Sequence, residues 1–231
     1  MVDHPLHAKL HPDKMYASTE THCDPTSSYW AQRRRLAMEL RELGNLLLSR
    51  SSTEADISAL ADEIARFNDI AEKEPELAGR KGWLDAGIFQ DQDALSVELS
   101  PLIGKSSSVG PVLKVWLENG AGRGEVCCDW RFEGPPRCVH GGYVAAIFDE
   151  FLGWVQMLSG GAGATKNLSV TYHHPTPLNA VLALKARLLS VDGRKVRVIG
   201  EMYAGERMTA SAEGLFISFG SKGTTELYKN L

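Results

Sequence analysis

One long apolar segment constrains the fold of this chain more than any other feature. Residues 141–158 read GGYVAAIFDEFLGWVQML, and two acidic residues, Asp149 and Glu150, lie in the middle of the segment. Each of these carboxylates would cost roughly 2.5–3.5 kcal/mol at the centre of a bilayer. The segment therefore predicts a buried helix in a soluble protein, with no membrane partner.

Segments with a period of two flank this helix on both sides. Before it, residues 111–118 and 125–132 are predicted strands joined by a glycine-rich turn, and 125–132 alternate between apolar and polar residues. After it, four strands are predicted near 167–173, 180–191, 194–204 and 207–219, with Asp192-Gly193 as a two-residue hairpin turn. This order predicts an α+β fold in which an antiparallel sheet wraps around one central helix.

The residues before the sheet predict an N-terminal helical hairpin. The first helix carries apolar residues at helical spacing, namely Trp30, Leu36, Leu40, Leu43 and Leu47. The second begins at Thr53, which forms a capping pattern with Asp56, and its apolar stripe is Ile57, Leu60, Ile64 and Phe67. Because these stripes need burial, we expect both helices to pack on the sheet domain or to cover the mouth of its pocket.

The pattern divides the chain into distinct parts. Residues 1–27 are predicted to be a flexible tail, 28–80 the helical hairpin, 81–108 a connector, 109–220 the sheet domain and 221–231 a C-terminal tail. The N-terminal tail contains His4, His7 and His11. No helix or turn signal fixes these histidines relative to one another, so we expect a solvated tail; a metal site formed by the three histidines is the alternative interpretation.

Charge and cysteine content exclude several functions. The net charge is −4 and the isoelectric point is about 6.0, whereas a broad nucleic-acid-binding surface would be basic. The four cysteines form no CxxC pair, so neither a zinc site nor a redox motif is predicted. Reduced cysteines, and an N-terminus without a basic start and apolar run, predict a cytoplasmic protein.

The strongest candidate site lies where the central helix begins. Residues 133–142 read EGPPRCVHGG, and Gly141 and Gly142 open the helix. Backbone N–H groups at a helix start lack an intrahelical acceptor, and together with the helix dipole they can hold an anion or a polarised carbonyl oxygen. A simple turn before a helix is the alternative interpretation of the two glycines.

Asp149 is the second candidate. It lies among apolar helix residues, where an unpaired carboxylate is costly and is therefore usually paired or functional. Glu150 points about 100° away around the helix axis. Gly141 and Asp149 lie roughly 12 Å apart along the helix, too far for one substrate carbonyl to contact both. A two-fold partner with an antiparallel helix would bring Gly141 of one chain near Asp149 of the other, so we expect at least a dimer.

These motifs resemble a known family. The run 133–142, the nine-residue step from His140 to Asp149, and the run TKNLSVTYHHPTPL over 165–178 are similar to the PaaI-like hotdog-fold acyl-CoA thioesterases, especially their thioesterase superfamily member 4-like branch. The resemblance covers about residues 84–220. It implies a hotdog fold, hydrolysis of acyl-CoA to free acid and CoA, and a homodimer or a dimer of dimers.

The resemblance also implies roles for single residues. Asp149 would be the general base or nucleophile, Thr165 would orient the attacking water, and the Gly141 N–H would polarise the thioester carbonyl. His140 would support the loop and hydrogen-bond near that carbonyl. Gly134 stands where some relatives have an asparagine, so any role of that amide is absent or supplied differently. No metal or separate cofactor is implied, because coenzyme A is part of the substrate.

Further residues are predicted to contact the substrate. They lie at the helix start, beside Asp149, and on the strands and hairpin that follow: Gly142, Glu150, Asn167, His173, Arg194 and Lys195. Arg194 and Lys195 follow the hairpin turn, where they could meet the phosphates of coenzyme A. A solvated sheet face is the alternative interpretation of these basic residues.

Two other functions fit part of the same pattern. A hotdog hydratase or dehydratase would need a histidine and a carboxylate facing one substrate carbon, yet Glu150 points away from Asp149. A non-catalytic acyl-CoA-binding protein would keep the pocket, and the additional N-terminal helices allow that alternative. The presence of both Asp149 and Thr165 favours catalysis over binding alone.

Overall fold

The computed structural model describes residues 28–77, 79, 82–83, 86 and 97–219. The predicted tails at 1–27 and 221–231, and part of the predicted connector, lie outside these described residues. The secondary structure, in chain order, is α1 (Ser28–Ser49), α2 (Glu54–Ala71), β1 (Lys114–Glu118), β2 (Ala121–Cys127), α3 (Gly141–Gln156), β3 (Gly163–Tyr172), β4 (Val181–Asp192), β5 (Lys195–Ala204) and β6 (Arg207–Ser218).

The strands form one antiparallel sheet that confirms the predicted fold. Its six strands lie in the order β1-β2-β4-β5-β6-β3, which places β3 at one edge. The apolar face of α3 packs on one side of the sheet, and the buried core includes Phe148, Phe151, Leu152, Leu182, Val198 and Phe216. A side chain at Gly200 would lie 2.7 Å from the Leu152 side chain, so the sheet needs a glycine where α3 crosses it closely.

The predicted strand 125–132 is wrong beyond residue 127. β2 ends at Cys127, and Trp130–Phe132 forms a 3-10 turn. The Asp129 carboxylate accepts the backbone N–H of Arg131 at 3.0 Å and forms an ion pair with its guanidinium at 2.8 Å, which bends the chain out of the sheet. The preceding strand also begins later than predicted, at Lys114.

The described cysteines are free thiols in different surroundings. Cys127 is exposed and Cys128 is fully buried in the core. Burial raises the pKa of the Cys128 thiol to about 12, so this cysteine is an inert apolar side chain at neutral pH. Cys138 is half-buried in the loop before α3.

The first N-terminal helix packs on the sheet domain, as predicted. Trp30 and Ala37 of α1 are buried, and the Arg34 guanidinium donates two hydrogen bonds of 2.8 Å to the Glu98 carboxylate. Glu98 is itself buried, so the pair fixes α1 to the segment that leads into the sheet. Asn45, near the end of α1, accepts the backbone N–H of Trp130 at 3.3 Å.

The second N-terminal helix does not pack on the domain, which contradicts the prediction. The predicted capping box of Thr53 and Asp56 is present, but all 18 residues of α2 are exposed. Polar anchors such as the Arg34–Glu98 pair of α1 have no counterpart on α2 among the described residues. In that part of the chain, no helix is both long and apolar enough to cross a membrane.

Candidate active site

His140 caps the start of α3. Its Nδ1 accepts the backbone N–H of Gly142 at 3.0 Å. Because Nδ1 acts as the acceptor, the neutral imidazole carries its proton on Nε2. The cap therefore occupies Nδ1 as an acceptor and leaves the Nε2–H of the ring as a donor for another group.

Tyr172 holds the same turn from the other side. Its hydroxyl donates to the carbonyl oxygen of Gly141 at 2.8 Å, while the preceding carbonyl, that of His140, accepts the N–H of Tyr143 at 2.9 Å. The Gly141–Gly142 peptide is thus bound at its oxygen by Tyr172 and at its nitrogen by His140. The N–H of Gly141 donates no hydrogen bond within the described residues, so it is the open donor of this helix start.

The loop before α3 packs tightly beneath His140. The His140 N–H donates to the Phe132 carbonyl at 2.8 Å, and the Gly134 N–H donates to the Cys138 carbonyl at 2.9 Å. A Cβ at position 134 would lie 2.7 Å from the His140 Cα. Any larger side chain at position 134 would therefore require this loop to move.

Asp149 and Glu150 have different surroundings, as their angular separation predicts. Glu150 accepts a hydrogen bond of 3.0 Å from the hydroxyl of Ser100, a buried residue of the segment before the sheet. Asp149 is half-buried and forms no hydrogen bond or ion pair with any described residue. Glu150 thus binds the protein itself, whereas the Asp149 carboxylate remains available to a ligand or a second chain.

A β-bulge determines which polar residues of β3 face α3. The pairing of β3 with β6 shifts between Thr165 and Asn167, which leaves one extra residue in β3. Thr165 pairs with Phe216, whose ring is buried on the α3 side of the sheet, whereas Asn167 pairs with Leu215. Directly paired residues share a face, so Thr165 lies on the α3 side and Asn167 on the opposite side.

The predicted coenzyme A contacts lie at two ends of the sheet. The ring of His173 is 2.8 Å from the hydroxyl of Ser211, and Arg194 donates to the carbonyl of Ser218 at 2.9 Å, with Lys195 beside it. Seven residues of an extended strand separate Ser211 from Ser218, about 23 Å. One nucleotide therefore cannot contact both groups within a single chain.

The candidate catalytic residues form two groups along α3. Gly141 lies beside Tyr172 at the end of β3, and Gln156 lies beside Gly163 at its beginning, so α3 and β3 run antiparallel. Asp149 is about 12 Å further along α3 than Gly141. Thr165 lies near the beginning of β3, about 20 Å from Tyr172. One chain therefore has the open N–H at the start of α3, whereas Asp149 lies near the middle of α3 and Thr165 near the beginning of β3.

Metal-binding geometry is not found in the described part of the chain. No group of three or more His, Cys, Asp or Glu side chains there is arranged to hold an ion. The predicted tail residues His4, His7 and His11 lie outside it.

Comparison with known proteins gives matches to the part of the chain that contains the candidate site. The sequence pattern of the thioesterase superfamily matches residues 138–211. The acyl-coenzyme A thioesterase THEM4 of Xenopus laevis is 38% identical over 64 residues, which is 28% of this chain and 29% of the relative. THEM4 of Mus musculus is 39% identical over 66 residues, 29% of this chain and 28% of the relative. The match thus spans less than a third of these curated relatives.

One solved structure resembles most of the chain. A crystal structure of a thioesterase superfamily protein is 30% identical in sequence and superimposes with a TM-score of 0.68. The similarity covers 84% of this chain and 97% of that one. It therefore extends well beyond the segment from 138 to 211.

Proposed function

The chain belongs to the thioesterase superfamily, and from this premise we propose that it hydrolyses acyl-CoA thioesters to a free acid and CoA. The curated relatives are named acyl-coenzyme A thioesterases. The observation that carries the proposal is a pair of groups on α3 that bind no described residue: the N–H of Gly141 and the carboxylate of Asp149.

These two groups suit the chemistry of a thioester. The Gly141 N–H, at the positive end of the α3 dipole, stabilises the oxyanion that forms when the carbonyl carbon is attacked. Asp149 attacks that carbon itself or removes a proton from an attacking water, and Thr165 orients the water. In the general-base route, the water oxygen bonds to the carbonyl carbon, the carbon–sulfur bond breaks, and the CoA thiolate takes the proton that Asp149 removed from the water. In the nucleophilic route, an Asp149 oxygen bonds to the carbonyl carbon as the thiolate leaves, which forms an anhydride. Water then hydrolyses the anhydride, which releases the free acid, restores the carboxylate and supplies the proton that the thiolate takes. A thioester is already activated, so the step needs no metal.

The two groups act together in a homodimer. β3 is an edge strand that pairs only with β6 among the described strands, and an open edge of 10 residues favours pairing with a second chain. Antiparallel pairing of β3 with β3 of the partner subunit would set the two α3 helices antiparallel. Gly141 of one protomer would then approach Asp149 and Thr165 of the partner subunit, forming two equivalent sites.

Tyr172 and His140 act as positioning residues in this scheme. They bind the oxygen and the nitrogen of the Gly141–Gly142 peptide, which fixes the direction of the neighbouring Gly141 N–H. An oxyanion donor contributes most when it needs no reorganisation during the reaction. The Nε2–H of His140 would be a second donor, besides the Gly141 N–H, near the carbonyl of the substrate.

We also propose contacts with the coenzyme A part of the substrate and a cellular compartment. The hairpin residues Arg194 and Lys195 would bind the phosphates of coenzyme A, because both are cationic and exposed. The free thiols Cys127, Cys128 and Cys138 favour a reducing compartment such as the cytoplasm.

Thiol release from a panel of acyl-CoAs tests this function. We expect the full-length protein to release CoA from at least one chain-length or aromatic class in a time-dependent reaction without added metal. Binding of acyl-CoAs without release of thiol would replace the proposal with an acyl-CoA-binding function. Addition of water across an enoyl-CoA double bond, with the thioester intact, would replace it with a hydratase function.

A further inference from the structure

The exposed helix α2 carries a regular apolar seam. Its residues Ile57, Leu60, Ile64 and Phe67 follow one another at steps of three, four and three, and they are 37 to 66% exposed. This alternation of three and four is the spacing by which one helix packs against another. Isolated helices of this length are marginal in water, so the seam needs a helical partner.

A matching seam lies on α1. Its residues are Leu36, Leu40, Leu43 and Leu47, which follow one another at steps of four, three and four. The side chains of Leu36, Leu40 and Leu47 are 44 to 60% exposed. A different face of α1, with Arg34 and Ala37, contacts the domain. The leucine seam therefore stays open after α1 is bound to the domain.

The two seams of one chain do not cover each other, since both remain exposed. The charges of the two helices are complementary. α2 carries five carboxylates and one arginine, a net charge of −4, whereas α1 carries four arginines and two glutamates, a net charge of +2. Opposite charge favours α2 beside an α1 helix, and the charge of −4 disfavours α2 beside another α2.

We propose that α2 of each protomer packs its Ile57–Phe67 seam on the Leu36–Leu47 seam of α1 of a second copy. The exchange is reciprocal: each chain gives one α2 and receives one, so a closed two-fold dimer covers all four seams. It leaves no open seam to recruit further copies. The inference rests on exposure, spacing and charge, and it does not depend on thioester hydrolysis.

Cysteine cross-linking between two kinds of full-length chain tests the exchange. One chain, carrying a size tag, has Leu40→Cys, and the other has Ile64→Cys; the two are unfolded, mixed, refolded and oxidised mildly. The unsubstituted chain reports the background from the native cysteines, including the exposed Cys127. The matched control pair is Met38→Cys with Asp62→Cys, which are exposed positions turned away from the seams.

The exchange predicts a tagged–untagged covalent dimer in the Leu40→Cys and Ile64→Cys mixture, at least about five times more abundant than in the control mixture. A chain carrying both substitutions that instead closes on itself, as a fast-migrating monomer, would show a hairpin within one chain and overturn the proposal. Cross-links only between two Ile64→Cys chains, or none above background, would overturn it as well.

A second measurement keeps the inference testable if cysteines at the seam disturb packing. Hydrogen exchange of the α2 amides is compared between the unsubstituted protein, Phe67→Asp, and the control Ser58→Asp, which adds the same charge away from the seam. We expect slow α2 exchange in the unsubstituted and Ser58→Asp proteins and at least about tenfold faster exchange in Phe67→Asp. Equally fast exchange in all three proteins would mean that α2 has no partner.

Discussion

The hydroxyl of Tyr172 donates a hydrogen bond of 2.8 Å to the carbonyl oxygen of Gly141, which joins the end of β3 to the first residue of α3. The same glycine has an N–H that no described residue accepts. The protein thus holds the carbonyl of Gly141 and leaves its N–H open to a ligand, which is the arrangement an oxyanion donor needs.

Loss of this hydroxyl should lower turnover without unfolding the protein. We expect Tyr172→Phe to reduce kcat about two- to tenfold, the effect of one neutral hydrogen bond, and to leave KM nearly unchanged. Steady-state kinetics with one acyl-CoA measures both constants. Tyr143→Phe is the matched control, because the Tyr143 ring packs on Phe132 at 4.9 Å and it too loses one hydroxyl. Equal losses in the two variants would remove Tyr172 from the mechanism.

Two substitutions of His140 should separate its contribution to stability from its contribution to catalysis. His140→Ala removes the acceptor for the Gly142 N–H and should lower the free energy of unfolding by about 1 kcal/mol. His140→Asn supplies another good capping oxygen, so it should recover most of that stability but not the Nε2–H donor. Urea unfolding and kcat are measured for both variants. Full recovery of kcat by asparagine would limit His140 to the structural cap.

Much of this architecture follows from the sequence alone. The periods of two and of 3.6 predict the strand and helix order, and the glycine pair with His140 predicts the helix start. Local polar contacts were not predicted. The hydrogen bonds between Asp129 and Arg131 accompany the end of β2, although the alternation of apolar and polar residues continues beyond it. Such contacts depend on side-chain direction, which hydrophobic periodicity does not contain.

Hydrophobic periodicity also fails to predict which side of the sheet the β3 side chains face. Strict alternation would put Thr165 on the same side as Asn167, away from α3. The bulge between them reverses this, so only Thr165 reaches the α3 face. The extra residue of the bulge is Lys166, and a polar residue there does not mark a bulge in the hydropathy pattern. Glu150 likewise has a structural partner, Ser100, that lies 50 residues away and that no local pattern connects to it.

The bulge makes Thr165 and Asn167 a natural pair for comparison. We expect Thr165→Ala to lower kcat about two- to tenfold, because it removes one hydrogen bond that positions water or carboxylate. Thr165→Ser, which keeps the hydroxyl, should recover most of the activity. Asn167→Ala changes the opposite face and should leave kcat unchanged. A larger loss from Asn167→Ala than from Thr165→Ala would mean that the wrong face of β3 has been assigned.

The ion pair between Arg34 and Glu98 should hold α1 on the domain. The Glu98 side chain is only 4% exposed, so Arg34→Ala leaves a buried carboxylate without its main partner. We expect a loss of about 3 kcal/mol in the free energy of unfolding, partly recovered by adding Glu98→Gln. Urea unfolding measures the loss, and limited proteolysis near α1 should become faster. Arg35→Ala, at an exposed neighbour, should change neither.

The catalytic carboxylate is the central claim, and the adjacent acids of α3 provide a matched comparison. Asp149→Asn keeps the shape of a side chain that binds no described residue, so its effect reports on chemistry. Glu150→Gln keeps an oxygen that can still accept the Ser100 hydroxyl, so it should be nearly silent. Both variants change one carboxylate to an amide at neighbouring positions of the same helix.

The decisive measurement is single-turnover thiol release by these two variants, with acyl-CoA binding measured alongside. The structure predicts that Asp149→Asn slows release by about 10²–10⁴-fold while binding is retained, and that Glu150→Gln stays within about twofold of the unsubstituted protein. Normal release by Asp149→Asn together with loss of release in Glu150→Gln would contradict the assignment of Asp149 as the catalytic group.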